Sequence, residues 1–115
     1  TGMDLSGLSR DPTVVARILA DPLFHRRGTA RLSTEVTRTI DRLQRAAAKF
    51  PVPVLVQHGT ADRMVLPEGS RQFVAHVGHP DHRLIEYDGA YHALLADLES
   101  ERVLADLGDW ILQRT

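Results

Sequence analysis

The sequence predicts an α/β fold with parallel strands, and three observations carry that expectation. Val54-Leu55-Val56 is apolar on both faces, introduced by Pro51-Val-Pro53 and bounded by Gly59, as a strand inside a parallel sheet would be. Arg83-Leu-Ile-Glu-Tyr87 alternates as a second strand and ends at Asp88-Gly89. Between them, Pro67 opens a stretch with Phe73, Val74 and Val77 at helical positions, closed by Gly78. Strand, helix and strand in this order form a βαβ unit, whose crossover is expected to be right-handed.

The first half of the chain reads as helical. Asp11-Pro12 offers an N-cap and a proline at the first helical position, and Val14, Val15, Ile18 and Leu19 form a stripe that Asp21-Pro22 stops. From Ser33, the positions Val36, Ile40, Leu43, Ala47 and Phe50 recur at helical spacing, with Arg38, Asp41, Arg42 and Arg45 on the other face. This predicts a long amphipathic helix packed on the sheet and ending before Pro51. A last helix from near Ser100 is expected to bury Val103, Leu104, Leu107, Trp110 and Ile111, with Gly108 in its interior. Residues 1–50 and 51–115 are thus a helical segment and a strand-helix-strand-helix segment of one domain.

Composition removes several classes of function. With 115 residues, 43% hydrophobic and 25% charged, the chain is that of an ordinary globular protein. A net charge of −1, with both signs interspersed, gives no footprint for nucleic acid or an anionic membrane. There is no cysteine, hence no disulfide, thiolate metal site or cysteine nucleophile. The opening Thr1-Gly2-Met3-Asp4-Leu5-Ser6 has no leader pattern and no apolar run reaches membrane-spanning length, so a cytosolic protein is expected, one whose gene begins upstream of Thr1.

Two polar clusters follow the strands: His58-Gly-Thr-Ala-Asp62-Arg-Met-Val after the first, and Asp88-Gly-Ala-Tyr-His92 after the second. Open α/β sheets place their sites beyond these carboxyl ends. Alone, Asp62 reads as an Asx-turn residue and His92 as a loop histidine bonded to backbone. Together, 30 residues apart with one helix and one strand between them, they are candidates for the acid and base of a catalytic triad. His58 reads as structural or pocket-lining, and Arg63 as a loop anchor. His76, His79 and His82 recur every third residue, but Gly78 and Pro80 break the run, and no metal site is expected.

Pro53-Val-Leu-Val-Gln-His-Gly-Thr-Ala-Asp62, Val65-Leu-Pro67 and Tyr87-Asp-Gly-Ala-Tyr-His92 together resemble α/β-hydrolases of the monoacylglycerol lipase and lysophospholipase type, the serine aminopeptidase S33-like group. Leu8-Ser-Arg-Asp-Pro12 and Asp21-Pro-Leu-Phe-His25 resemble the segment by which that family's chain returns from its lid, so the resemblance covers nearly the whole sequence. It implies the C-terminal part of an α/β-hydrolase fold: the last two parallel strands with flanking helices, preceded by two helices returning from the lid. It also implies that Asp62 orients His92, that His92 takes a serine proton, and that no cofactor is needed. Leu23 and Phe24, beside the lid return, are the candidates for contact with substrate.

The serine itself is expected elsewhere. Gly7-Leu-Ser9-Arg-Asp11 is the nearest approach to a G-x-S-x-G elbow, but Asp11 replaces the second glycine and no strand precedes it. The partners implied are a small lipid ester and the missing N-terminal half of the hydrolase. The competing reading is a non-catalytic remnant or interaction module descended from such an enzyme.

Overall fold

The computed structural model describes residues 4–115; Thr1, Gly2 and Met3, on which part of the leaderless reading rests, lie outside the described residues. Helix α1 spans Pro12–Ala20, α2 Ala30–Ala46, β1 Val54–Gly59, α3 Pro67–His76, β2 His82–Tyr87 and α4 Ser100–Leu112, with 3₁₀ turns at Ala47–Lys49 and Leu94–Ala96. β1 and β2 pair in parallel from Val54 opposite His82 to Gly59 opposite Tyr87. Among the described residues no helix is long and apolar enough to cross a membrane.

Because side chains alternate along a strand, this register sorts the sheet into two faces. Val54 and Val56 pack with Phe50 and Val74 on a core of Ala47, Phe73 and Val77, so α3 and the turn after α2 cover one face. Phe50 and Phe73 meet edge to face, 5.5 Å between centroids. Ile85 and Leu94 pack on the second core of Tyr87, Ala90 and Val103, so α4 covers the other face. Gln57 Nε2 donates to the Tyr87 hydroxyl (2.8 Å) and to Val103 O (2.9 Å), and Tyr87 donates to Asp106 (2.8 Å), so the polar groups on the α4 face are satisfied where they are buried.

Local signals set most boundaries. Asp11 caps α1 by accepting from Thr13 N (2.8 Å), with Pro12 at the first position. α2 starts a turn earlier than expected because Thr29, not Ser33, is the cap: its hydroxyl accepts from Leu32 N (3.1 Å), and Leu32 extends the apolar stripe by four residues. Gly78 closes α3, as expected, and it does so without a left-handed backbone conformation. Among the described residues only Gly89 has a positive φ, 69°. At Gly78 the requirement is proximity: its N–H bonds Ala47 O (3.0 Å), and a Cβ would collide with Ala48 O.

The helical faces depart from expectation. α4 buries Val103, but Leu104 and Ile111 remain about half-exposed, and α2 has no buried residue. The expectation that α2 packs on the sheet is not met: it meets α3 and the 3₁₀ turn that follows it, and its apolar stripe stays half-exposed.

Candidate active site

Gly59 and Tyr87 end their strands side by side, so the loops that follow leave the same edge of the sheet. These loops are bonded to each other: Thr60 N to Tyr87 O (3.0 Å), Ala61 N to Ala90 O (3.1 Å) and Gly89 N to Thr60 Oγ1 (2.8 Å). The approach is so close that a Cβ on Gly59 would strike the Ala90 carbonyl. Glycine at this strand end is therefore a condition for the two loops to meet.

Asp62 is buried, and both carboxylate oxygens are used. Oδ1 accepts from Met64 N (2.9 Å) and Val65 N (3.0 Å), closing an Asx-type turn. Oδ2 accepts from His92 Nδ1 at 2.9 Å. The turn and the pairing with histidine thus coexist on one side chain. Burial works against the charged form of Asp62, but the Val65 amide, the His92 imidazole and the Met64 amide outweigh it and hold the carboxyl below the usual aspartate range.

Since Nδ1 of His92 faces a carboxylate, it carries the proton, and Nε2 is left with its lone pair. No group among the described residues bonds that Nε2. It belongs to a half-exposed side chain beside a cleft of about 160 Å³ that Gln57, Gly59, Val65 and Leu94 help to line. Such an imidazole can accept a proton from a hydroxyl placed in the cleft.

His58 is a second imidazole on the same carboxylate, a contact the sequence reading did not anticipate. Its Nε2 lies 2.9 Å from Val65 O and 3.2 Å from Asp62 Oδ2, and its Nδ1 lies 2.7 Å from Ser70 Oγ. A carbonyl can only accept, so Nε2 carries the proton and Nδ1 accepts from Ser70. His58 is buried with both nitrogens engaged, and it braces Asp62 at the same oxygen, Oδ2, that accepts from His92.

The backbone of the His92 loop is held by the segment before α1, with His92 N on Gly7 O (3.3 Å) and Ala93 N on Leu8 O (2.8 Å). Sequence reasoning also missed buried Asp97, whose carboxylate accepts from Tyr91 N (2.7 Å). Arg63 anchors its loop through Ser6 Oγ (3.2 Å) and the Tyr91 ring. Ser9, in the nearest approach to an elbow motif, is buried and donates to Ala96 O (2.8 Å) while accepting from Asp11 N (3.0 Å). Its hydroxyl is spent on backbone.

Leu23 and Phe24 lie between α1 and α2, away from the cleft lining, and Leu23 is 88% exposed. His76 and His82 bond backbone carbonyls, and His79 accepts from Asp81 N. Among the described residues no group of three or more His, Cys, Asp or Glu could hold a metal ion.

The chain belongs to the serine aminopeptidase S33 family of hydrolases, which it matches over residues 1–99. Within that family it is similar to monoacylglycerol lipases. It is 38% identical to the monoacylglycerol lipase of Mycolicibacterium smegmatis, over 96% of this chain and 40% of that protein. It is 33% identical to the human monoglyceride lipase, over 98% of this chain and 38% of that one. The crystal structure of the Paleococcus ferrophilus monoacylglycerol lipase superposes with a TM-score of 0.93 at 32% identity, covering 98% of this chain and 44% of that one. The fold is that of an α/β-hydrolase, and the chain spans about two fifths of the length of these relatives.

Proposed function

We propose that the protein carrying this chain is a carboxylic-ester hydrolase in which Asp62 and His92 are acid and base of a Ser-Asp-His triad, with the serine outside these 115 residues. The observation that carries the reading is the 2.9 Å bond from His92 Nδ1 to buried, fully bonded Asp62, which leaves Nε2 free on a histidine that lines a cleft.

The serine oxygen attacks the ester carbonyl carbon and its proton passes to His92 Nε2, while Asp62 stabilises the imidazolium. Collapse of the tetrahedral intermediate breaks the bond to the alcohol, which leaves with the proton from Nε2. Water then attacks the acyl-serine, giving one proton to Nε2. The carboxylic acid departs and that proton returns to the serine oxygen. The oxyanion donors belong, with the serine, to the remaining part of the enzyme.

The substrate class proposed is a single-chain ester, monoacylglycerol or lysophospholipid, supported by the names of the relatives. Leu23 and Phe24 are proposed to touch the acyl chain once the rest of the protein stands beside them. The test is the complete protein, assayed on monoolein, triolein and a short nitrophenyl ester beside its His92→Ala variant. Turnover should fall about 10⁴-fold or more in the variant, which should still unfold cooperatively. Monoolein should be cleaved faster than triolein. Wild-type rates in His92→Ala would remove His92 as the base, and preference for triolein would remove the substrate class.

A further inference from the structure

We propose that Arg10 and Asp97 form a latch that positions His92 for proton transfer, an inference that rests on His92 being the catalytic base. The need for a latch comes from exposure. The His92 side chain is 38% exposed, so packing does little to fix its ring. Its bond to Asp62 is made reproducibly only if the main chain beneath it is held.

Asp97 supplies that hold. Its side chain is 1% exposed, and both oxygens are saturated. Oδ1 accepts from Arg10 N (3.0 Å), Arg10 Nε (3.1 Å) and Leu98 N (2.8 Å). Oδ2 accepts from Arg10 Nε (3.1 Å) and from Tyr91 N (2.7 Å), the amide next to His92. One carboxylate therefore joins the residue before the base to Arg10, which lies 87 positions from Asp97 on the segment preceding α1. That same segment bonds His92 N and Ala93 N through Gly7 O and Leu8 O, and Ser9 Oγ bonds Ala96 O (2.8 Å). The histidine peptide is gripped from both sides, and Arg10 is the cation that makes a buried carboxylate tolerable there. Burial disfavours ionised Asp97, but the Tyr91, Leu98 and Arg10 amides and the Arg10 guanidinium outweigh it and keep its carboxyl below the usual range.

The experiment compares Asp97→Asn, Arg10→Lys and, as a control, Asp106→Asn in the complete protein. Asp106 accepts the buried Tyr87 hydroxyl bond beneath the sheet and does not touch the histidine loop. Asp97→Asn should lower kcat about 10- to 100-fold with KM changed by less than about twofold, because a displaced base slows chemistry without weakening binding. Arg10→Lys keeps the charge but loses the Nε bonds, and should show the same pattern more weakly. Asp106→Asn should lower Tm and leave kcat in place. By NMR, the downfield Nδ1 proton of the His92–Asp62 bond, assigned through its loss in His92→Ala, should disappear in Asp97→Asn and persist in Asp106→Asn. Wild-type kcat with an intact resonance in Asp97→Asn overturns the latch, as does an equal kcat loss in Asp106→Asn. If Asp97→Asn does not fold, Arg10→Lys decides by the same criteria. If the wild-type protein cleaves no ester, the catalytic reading falls, and the resonance alone still decides whether Asp97 holds His92.

Discussion

At the carboxyl ends of β1 and β2 both oxygens of Asp62 are bonded and the main chains of two loops touch, whereas α2 has no buried residue and leaves Leu32, Val36, Ile40 and Leu43 half in water. Both regions are locally well formed: α2 is capped by Thr29, and its Gln44 Nε2 donates to Gly69 O (2.8 Å). What separates them is where their partners lie. The acid and base loops find theirs within this chain. The apolar stripe of α2 does not, and each aliphatic side chain of this kind gains about 1.5–3 kcal/mol on full burial. A chain can therefore carry a finished piece of a site on an unfinished core.

The largest effect expected from that contrast concerns the chain made alone. It should self-associate or remain loosely packed, cleave no ester, and become more monomeric when Val36→Glu and Ile40→Lys are introduced together. In the complete protein the same pair should destabilise instead. A sharp two-state monomer of the unsubstituted chain, seen by size-exclusion chromatography and thermal unfolding, would contradict the contrast.

A smaller effect is expected at the loops themselves. Gly59→Ala in the complete protein should lose at least about 1–3 kcal/mol, because the added methyl meets backbone rather than a side chain that could move. Turnover should drop with it; an unchanged Tm would mean that the loops have room to separate.

Acid should act more gently still. The Asp62 carboxyl is held below its ordinary value of 3.8, so the folded state binds this proton less readily than the unfolded chain. Its contribution is full above that value and is lost as pH falls through the lower folded one. The Tm difference between the complete protein and its Asp62→Asn variant should narrow in that acid range, and a gap independent of pH would argue that Asp62 acts only by filling space. The smallest effect is at Gly108, inside α4 with open space where a Cβ would stand. Gly108→Ala should gain about 1 kcal/mol, measurable as a modest rise in Tm at unchanged turnover.

How far the sequence was legible follows the same divide. Asp11-Pro12, the apolar run before Gly59 and Asp88-Gly89 are short-range signals, and the elements they predict are present. The pairing of Asp62 with His92 was legible through the family resemblance of the residues around both, and adjacent parallel strands carry the two end loops to one place. Asp97 was not, since no pattern within the His92 loop announces a partner at Arg10. His58 was half legible: its place at the strand end suggested a structural role, but a side chain's choice between Ser70, Val65 and Asp62 depends on packing. The faces of α2 and α4 were misjudged because periodicity shows which side of a helix is apolar and is silent on whether anything covers it.

The bonds between Thr60, Ala61, Gly89 and Ala90 also bear on how such sequences recombine. Acid loop and base loop interlock through their main chains even though a whole helix and strand separate them in the gene, so exchanging one without the other disturbs both. A chimera of two homologues whose crossover falls inside α3 would join halves of this interlock that were never selected together. One whose crossover falls at Pro51–Pro53 would keep the two loops together, but it would part the His92 loop and Asp97 from Gly7, Leu8 and Arg10, which hold them from the segment before α1.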